Sequence, residues 1–235
     1  MTKALEGKLA LVTGASKGIG AATALAFAEA GAHVVLTARD VRALEAVEDS
    51  IHEAGGASTI APIDLAESDG IARLASAIAG RWDRLDYLVI SAAYLPTLSP
   101  VTQIDGKQFS QAVTTNLLAT QALLSNFDPL LKRADAARVI GLTSSVGETP
   151  RAYWSAYGAT KAAFDNLLDA YAQEVEKISK VRVATIDPGA TRTAMRAKAY
   201  PGEDPATVKP PEDVAKRLVD LVITDFQTRH RERID

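Results

Sequence analysis

An α/β domain, its parallel sheet doubly wound by helices on both faces, is predicted by three observations on this 235-residue chain. Short apolar runs rich in β-branched residues alternate with longer amphipathic stretches from one end to the other, the pattern of repeated strand, helix, strand units. A glycine-rich turn joins the first apolar run to the first amphipathic stretch. The length and a hydrophobic content of 47% suit a substantial core in a single domain.

The strands are expected at 8–13, 33–38, 58–63, 87–91, 138–142 and 182–186, where the runs are short, apolar and rich in β-branched residues, as strands buried on both faces should be. Between them, residues 19–30, 41–54, 68–81, 107 to about 127 and 156 to about 178 carry apolar side chains at three- and four-residue spacing and read as crossover helices. Gly31 closes the first helix and Gly55-Gly56 the second. The alternation breaks at 193–211, where Pro201, Gly202, Pro205, Pro210 and Pro211 lie among charges. That segment is expected to be a mobile substrate loop, with a plain surface connection as the alternative. Pro211-Glu212-Asp213 opens a last helix to about 223, with its acids near the positive end of the helix dipole. The tail from 228 to 235 is charged.

Composition narrows the function. A net charge of -3 gives no basic field for nucleic acid. Met1-Thr2-Lys3 is followed by apolar segments broken by Glu6, Gly7 and Lys8, which fits neither a secretory signal nor a membrane span and makes a cytoplasmic location the expectation. The absence of cysteine excludes thiol chemistry, disulfides and Cys-ligated zinc. His33, His52 and His230 are scattered; His33 and His52 read as strand and helix surface residues, and no metal site is expected.

After the first strand comes Thr13-Gly14-Ala15-Ser16-Lys17-Gly18-Ile19-Gly20. Glycines here allow a tight turn, close approach of a pyrophosphate to the main chain, and close packing of helix on strand. The helix N-terminus then offers free N–H groups and partial positive charge to the phosphates. A dinucleotide site is expected. At the end of the second strand, Thr37-Ala38-Arg39-Asp40 lacks the acid that would bind a ribose 2′-hydroxyl, and Arg39 with Lys17 supplies charge for a 2′-phosphate. NADP(H) is therefore favoured. Asp40 either pairs with Arg39 or caps the second helix.

Tyr157 and Lys161 stand four apart, on one face of the fifth helix. A nearby ammonium lowers a phenol pKa and makes Tyr157 a candidate general acid or base. Chance explains that spacing well by itself. It gains meaning from the glycine turn and from Thr143-Ser144-Ser145 at the end of the fifth strand.

With these motifs in place the chain resembles the short-chain dehydrogenase/reductase family in its single-domain, Rossmann-type form, over nearly its whole length. TGxxxGxG is matched by Thr13 to Gly20, and YxxxK by Tyr157 and Lys161. Ser144 stands thirteen residues before Tyr157, where the family places its serine, with Ser145 as the alternative. Asn116 resembles the family's asparagine on the fourth helix, Asp64-Leu65 the pair that contacts adenine, and Pro188-Gly189-Ala190-Thr191-Arg192-Thr193 the PG motif, whose Thr193 would approach the nicotinamide amide. Two features depart from the pattern. NNAG appears as Ile90-Ser91-Ala92-Ala93, keeping a small-residue floor for the adenosine while losing both asparagines and the glycine, which puts cofactor affinity and sheet stability there in question. Residues 231–234 would begin the family's seventh strand, and any interface built on it is in question, because Asp235 is the last residue.

The resemblance implies reversible hydride transfer between NADP(H) and a carbonyl or alcohol carbon. Tyr157 would exchange the proton, Lys161 hold down its pKa and bind the nicotinamide ribose, Ser144 orient the substrate oxygen, and Asn116 support Lys161 through an ordered water. It also implies a homodimer or homotetramer. A catalytically silent NADP(H)-sensing protein on the same fold is the alternative. Tyr94, Tyr153, Trp154, Met195 and Tyr200 point to an aromatic, apolar substrate pocket, or else pack core or face a second subunit.

Overall fold

The computed structural model describes residues 3–67 and 69–235. Ser68, where the third helix is expected to begin, and the N-terminal Met1-Thr2 lie outside the described residues. The strands are β1 (Leu9–Thr13), β2 (His33–Thr37), β3 (Ala57–Ile60), β4 (Tyr87–Ile90), β5 (Arg138–Leu142), β6 (Arg182–Asp187) and β7 (His230–Arg233), in the sheet order β3-β2-β1-β4-β5-β6-β7. Every pairing is parallel. The chain winds from β1 outward to β3, then crosses back to β4 and runs to the other edge. The reversal leaves a crevice beyond the carboxyl ends of β1 and β4, where open α/β sheets bind ligands.

Alternation along each strand builds two cores. Leu9, Leu11, Leu88 and Val139 face one layer, with α3 (Gly70–Ala79), α5 (Ala119–Arg133) and α7 (Ser155–Glu176). Ala10, Val12, Val89 and Ile140 face the other, with α1 (Gly18–Glu29), α2 (Val41–Glu53) and α9 (Pro211–Ile223). Phe27 and Phe127 are fully buried, one in each layer, and burial of such a ring is worth about 2–3 kcal/mol. The doubly wound class expected from the sequence is the one observed.

Four local differences matter. The long fourth crossover is α4 (Gly106–Val113), a π-helical turn over Thr114–Leu118, and then α5. Pro129 lies inside α5, which runs on to Arg133 because Leu130 and Leu131 bury themselves beyond it. The 193–211 segment, expected as an irregular loop, contains α8 (Ala194–Ala199) and a 3-10 turn at Pro205–Thr207; Thr193 caps α8 by accepting a hydrogen bond from the Arg196 N–H at 3.1 Å. The charged tail forms β7, at the place where the resemblance implied a seventh strand beginning at 231, an edge strand held by ion pairs from Arg231 to Asp165 at 2.8 Å and from Arg217 to Glu232 at 2.6 Å. The short α6 (Ser145–Glu148) lies between β5 and α7. His33 is half-buried rather than at the surface, with Nε2 sharing a 2.9 Å hydrogen bond with Thr59 Oγ1. Among the described residues no helix is long and apolar enough to cross a membrane, and none forms a metal-binding cluster.

Candidate active site

Beyond β1 and β4 opens a cleft of about 700 Å³. The glycine turn forms one wall. Gly14 and Gly18 adopt positive φ of 67° and 56°, and a Cβ on Gly20 would drive into the Gly14 carbonyl, so α1 packs hard against its own turn. Lys17 occupies the N-cap with no side-chain cap, and the first turn of α1 carries no acid. The positive end of that helix is thus left open, as an anionic group requires.

The floor is the Ser91-Ala92-Ala93 segment. Thr13 Oγ1 donates to the Val89 carbonyl at 3.3 Å and accepts the N–H groups of Ser91 and Ala92, each at 3.1 Å. A side chain of β1 therefore fastens the floor through its backbone, which answers the question that the missing asparagines raise about the sheet there. Neither Thr13 nor Thr160 below belonged to the expected site, although each is a hydroxyl inside a recognised motif.

At the adenosine end Arg39, Asp64 and Leu65 line the cleft, with Ser16, Lys17 and Ile19 opposite. Asp40 caps α2, accepting from the Ala43 N–H at 3.1 Å, and so resolves its two alternatives. Arg39 lies 3.9 Å from Asp64, both exposed, a pair worth little in water.

At the other end stand Tyr157 and Lys161, both buried and both lining the cleft. Lys161 Nζ donates to the Leu142 carbonyl at 2.8 Å and lies 4.3 Å from the Phe164 ring centre and 5.8 Å from that of Tyr157. Burial pushes the Lys161 pKa down to about 8, against the pull of Asp165. For Tyr157 the direction differs from the sequence expectation. Burial, reinforced by Asp187 and Asp165, raises the phenol above its ordinary value, while the Lys161 ammonium directs its proton at the Leu142 carbonyl.

Ser144 sits half-buried at the N-cap of α6 without making a cap hydrogen bond, and Ser145 is the first residue of that helix. Neither lines the cleft, whose surface there is Leu142 and Thr143. Close approach aligns α6 with α7: Gly147 packs on the Lys161 backbone, and Gly158 on the Val146 carbonyl.

Asn116 lies fully buried in the π turn, off the cleft. Its Oδ1 accepts the Tyr94 N–H at 2.7 Å, while Nδ2 donates to the Tyr94 carbonyl at 3.0 Å and to Thr160 Oγ1 at 2.9 Å. Both amide protons are spent, and through Thr160 the side chain braces the turn of α7 between Tyr157 and Lys161. Pro188 and Thr193 line the cleft, while Gly189 and Thr191 shape the turn after β6: the Gly189 N–H donates to Asp187 at 2.9 Å, and the Thr191 hydroxyl to the Pro188 carbonyl at 3.0 Å. Of the aromatic set, Tyr94 and Met195 line the cleft and Trp154 packs against Tyr157, whereas Tyr153 is 60% exposed.

A family model for short-chain dehydrogenases matches residues 8–204. The uncharacterised oxidoreductase YciK of Escherichia coli K12 is 36% identical over 213 residues, 89% of this chain and 84% of its own. A short-chain dehydrogenase structure from Pseudomonas syringae is 37% identical with a TM-score of 0.95 over 99% of this chain and 96% of that one. Another, from Shigella flexneri 2a and complexed with NADP, is 33% identical with a TM-score of 0.94 over 99% of each chain. Matching fold, glycine turn and Tyr157–Lys161 pair agree with these likenesses, and the chain belongs to the short-chain dehydrogenase/reductase family of oxidoreductases.

Proposed function

We propose that the protein is an NADP(H)-dependent reductase that interconverts a carbonyl and an alcohol, with Tyr157 as general acid and base. One observation carries the reading: a buried phenol and a buried ammonium share the end of a cleft whose other end is a glycine turn on an open helix N-terminus. The NADP complex of the Shigella relative supports the choice of nucleotide, as does Arg39.

The residues present suit that nucleotide. Gly14, Ser16, Lys17, Gly18 and Ile19 would hold its phosphates, Arg39 the 2′-phosphate, Asp64 and Leu65 the adenine, Ser91, Ala92 and Ala93 the adenosine, and Pro188 and Thr193 the nicotinamide amide. When bound, it supplies or accepts a hydride. Tyr157, raised in pKa, keeps its proton at neutral pH and is a competent donor to the alkoxide that develops as a carbonyl is reduced. In oxidation the same oxygen takes the proton back. Lys161 presents a positive charge beside that oxygen as charge develops; Ser144, at the head of α6 next to the cleft-lining Thr143, would orient the substrate oxygen by turning its hydroxyl into the cleft. Asn116 acts on α7 as a positioning residue.

The test is NADPH oxidation, followed spectrophotometrically over ketones, aldehydes and quinones. The Tyr157 hydroxyl has no hydrogen-bond partner among the described residues, so Tyr157→Phe removes the proton donor without unfolding the chain. It is expected to lose roughly 10²–10⁴ in kcat at unchanged Tm. Turnover that survives Tyr157→Phe sinks the mechanism; tight NADPH binding without turnover of any carbonyl favours a sensor.

A further inference from the structure

Lys209 ties one wall of the cleft to the edge of the sheet. After β6 the chain turns through residues 188–193, placing Pro188 and Thr193 on the cleft, then leaves through α8 and comes back at Lys209. There the base of the excursion closes. Thr191 forms a parallel bridge with Lys209, and the Arg192 N–H donates to the Lys209 carbonyl at 2.8 Å. The side chain reaches on past the turn, where Nζ donates to the Ile234 carbonyl at the exit of β7 at 2.6 Å. Asp187, Asp213 and Asp235 all lie within electrostatic reach of this ammonium, yet its proton is given to the main chain. Lys209 thus grips the turn with its backbone and β7 with its side chain.

The turn has little freedom between these holds. The Ile234 N–H donates to the Asp187 carbonyl at 2.9 Å, just before the turn begins. Gly189 stands at a φ of 62°, and a Cβ there would strike the Ile234 carbonyl and come within 2.9 Å of Lys209 Nζ. On the cleft side, a Cβ on Gly18 would meet the Thr193 methyl at 3.2 Å, so the end of the turn packs against the phosphate-binding glycines. Close-packed groups shift together. Release of the turn at Lys209 therefore reaches Thr193 and Pro188.

We propose that Lys209 is a positioning residue for the nucleotide: its ammonium, bound to the Ile234 carbonyl, fixes the 188–193 turn where that turn receives the nicotinamide half. The assignment rests on the nucleotide reading above and adds what holds that wall of the cleft in place.

The experiment titrates the protein calorimetrically, without substrate, with NADPH and with adenosine 2′,5′-bisphosphate, which lacks the nicotinamide half. Lys209→Met keeps an unbranched chain and removes the ammonium. It is expected to weaken NADPH about fivefold or more while leaving the bisphosphate within about twofold of wild type, the size of an ordinary coupling between linked sites. Lys209→Arg, which keeps a charged donor, should recover most of the loss. Gly189→Ala, which forces the turn off Ile234 from the other side, should reproduce the split, and it decides alone if Lys209→Met does not fold. NADPH affinity untouched by the variants overturns the assignment, as does an equal loss for both nucleotides, the mark of a purely structural role. A wild-type protein that binds neither nucleotide overturns the nucleotide reading and the assignment with it.

Discussion

Asn116 donates a 2.9 Å hydrogen bond to Thr160 Oγ1 across 44 residues of chain, and Thr160 donates in turn to the Tyr157 carbonyl at 2.8 Å. With its two bonds to the Tyr94 backbone, one amide thereby ties the exit of β4 and the π turn to the active turn of α7. A π turn of this kind interrupts a helix at a cost and recurs at functional sites.

Thr160→Val tests that link, because it keeps the branched shape and deletes the hydroxyl. One buried donor of Asn116 is left unpaired, which costs about 1–3 kcal/mol. Tm is expected to fall by roughly 2–4 °C per kcal/mol for a chain of this size. Steady-state kinetics should show a lower kcat with the carbonyl KM nearly unchanged, and Thr160→Ser should recover both measures. A Val variant with wild-type kcat would deny Asn116 any hold over Tyr157.

Arg39 gives a second prediction. Its partner Asp64 is 3.9 Å away and both side chains are exposed, so little stability rides on it. Arg39→Gln should therefore leave the unfolding free energy within about 0.5 kcal/mol of wild type while raising the KM for NADPH roughly tenfold or more, the loss of a charge-assisted contact to phosphate. The KM for NADH should hardly move. Equal effects on both nucleotides would remove Arg39 from 2′-phosphate recognition.

How much of this was legible in the sequence follows from what each feature depends on. β1, β2, β4 and β5 announce themselves because residues such as Leu88-Val89-Ile90 are buried on both faces and so are mostly apolar, whereas β3, Ala57–Ile60, is only partly buried and is marked chiefly by its β-branched residues. β7 reads His230-Arg-Glu-Arg233, and nothing local makes it a strand; it is held by acids brought over from α7 and by Arg217 on α9. The same holds within the site. The Tyr157 to Lys161 spacing is a local property of a helix and was readable. The partner of Asn116 was not, since Thr160 meets it only through folding, and neither was the direction of the Tyr157 shift, which burial decides. The π turn and α8 are tertiary in the same sense.

Gly158 sets helix propensity against close packing. In the interior of α7 an alanine would ordinarily gain about 1 kcal/mol over glycine. A Cβ at this position would stand 2.7 Å from the Val146 carbonyl, however, so α6 must shift away from α7. Gly158→Ala is expected to lower Tm despite its better propensity, and to lower kcat by moving Ser144 at the head of α6 relative to Tyr157. A more stable, fully active alanine variant would show that α6 yields at no cost to alignment.

Lys161 gives a prediction in pH. Its folded pKa of about 8 lies below the ordinary 10.5, so between those values the unfolded chain binds more protons than the folded one, and stability rises with pH across the window. Below pH 8 the buried charge carries its full penalty. Tyr157 acts in the opposite sense, its raised pKa withdrawing stability only above its ordinary value of 10. The range from about pH 7.5 to about pH 9.5 therefore isolates the lysine. Lys161→Met keeps the chain length and removes the titration, so the stability of wild type relative to this variant should climb by about 2 kcal/mol over that range, at about 1.4 kcal/mol per pH unit above 8. Urea melts at a series of pH values measure the difference. A gap that stays flat would mean that Lys161 is not held in the desolvated state, and that its positive charge reaches the cleft already solvated.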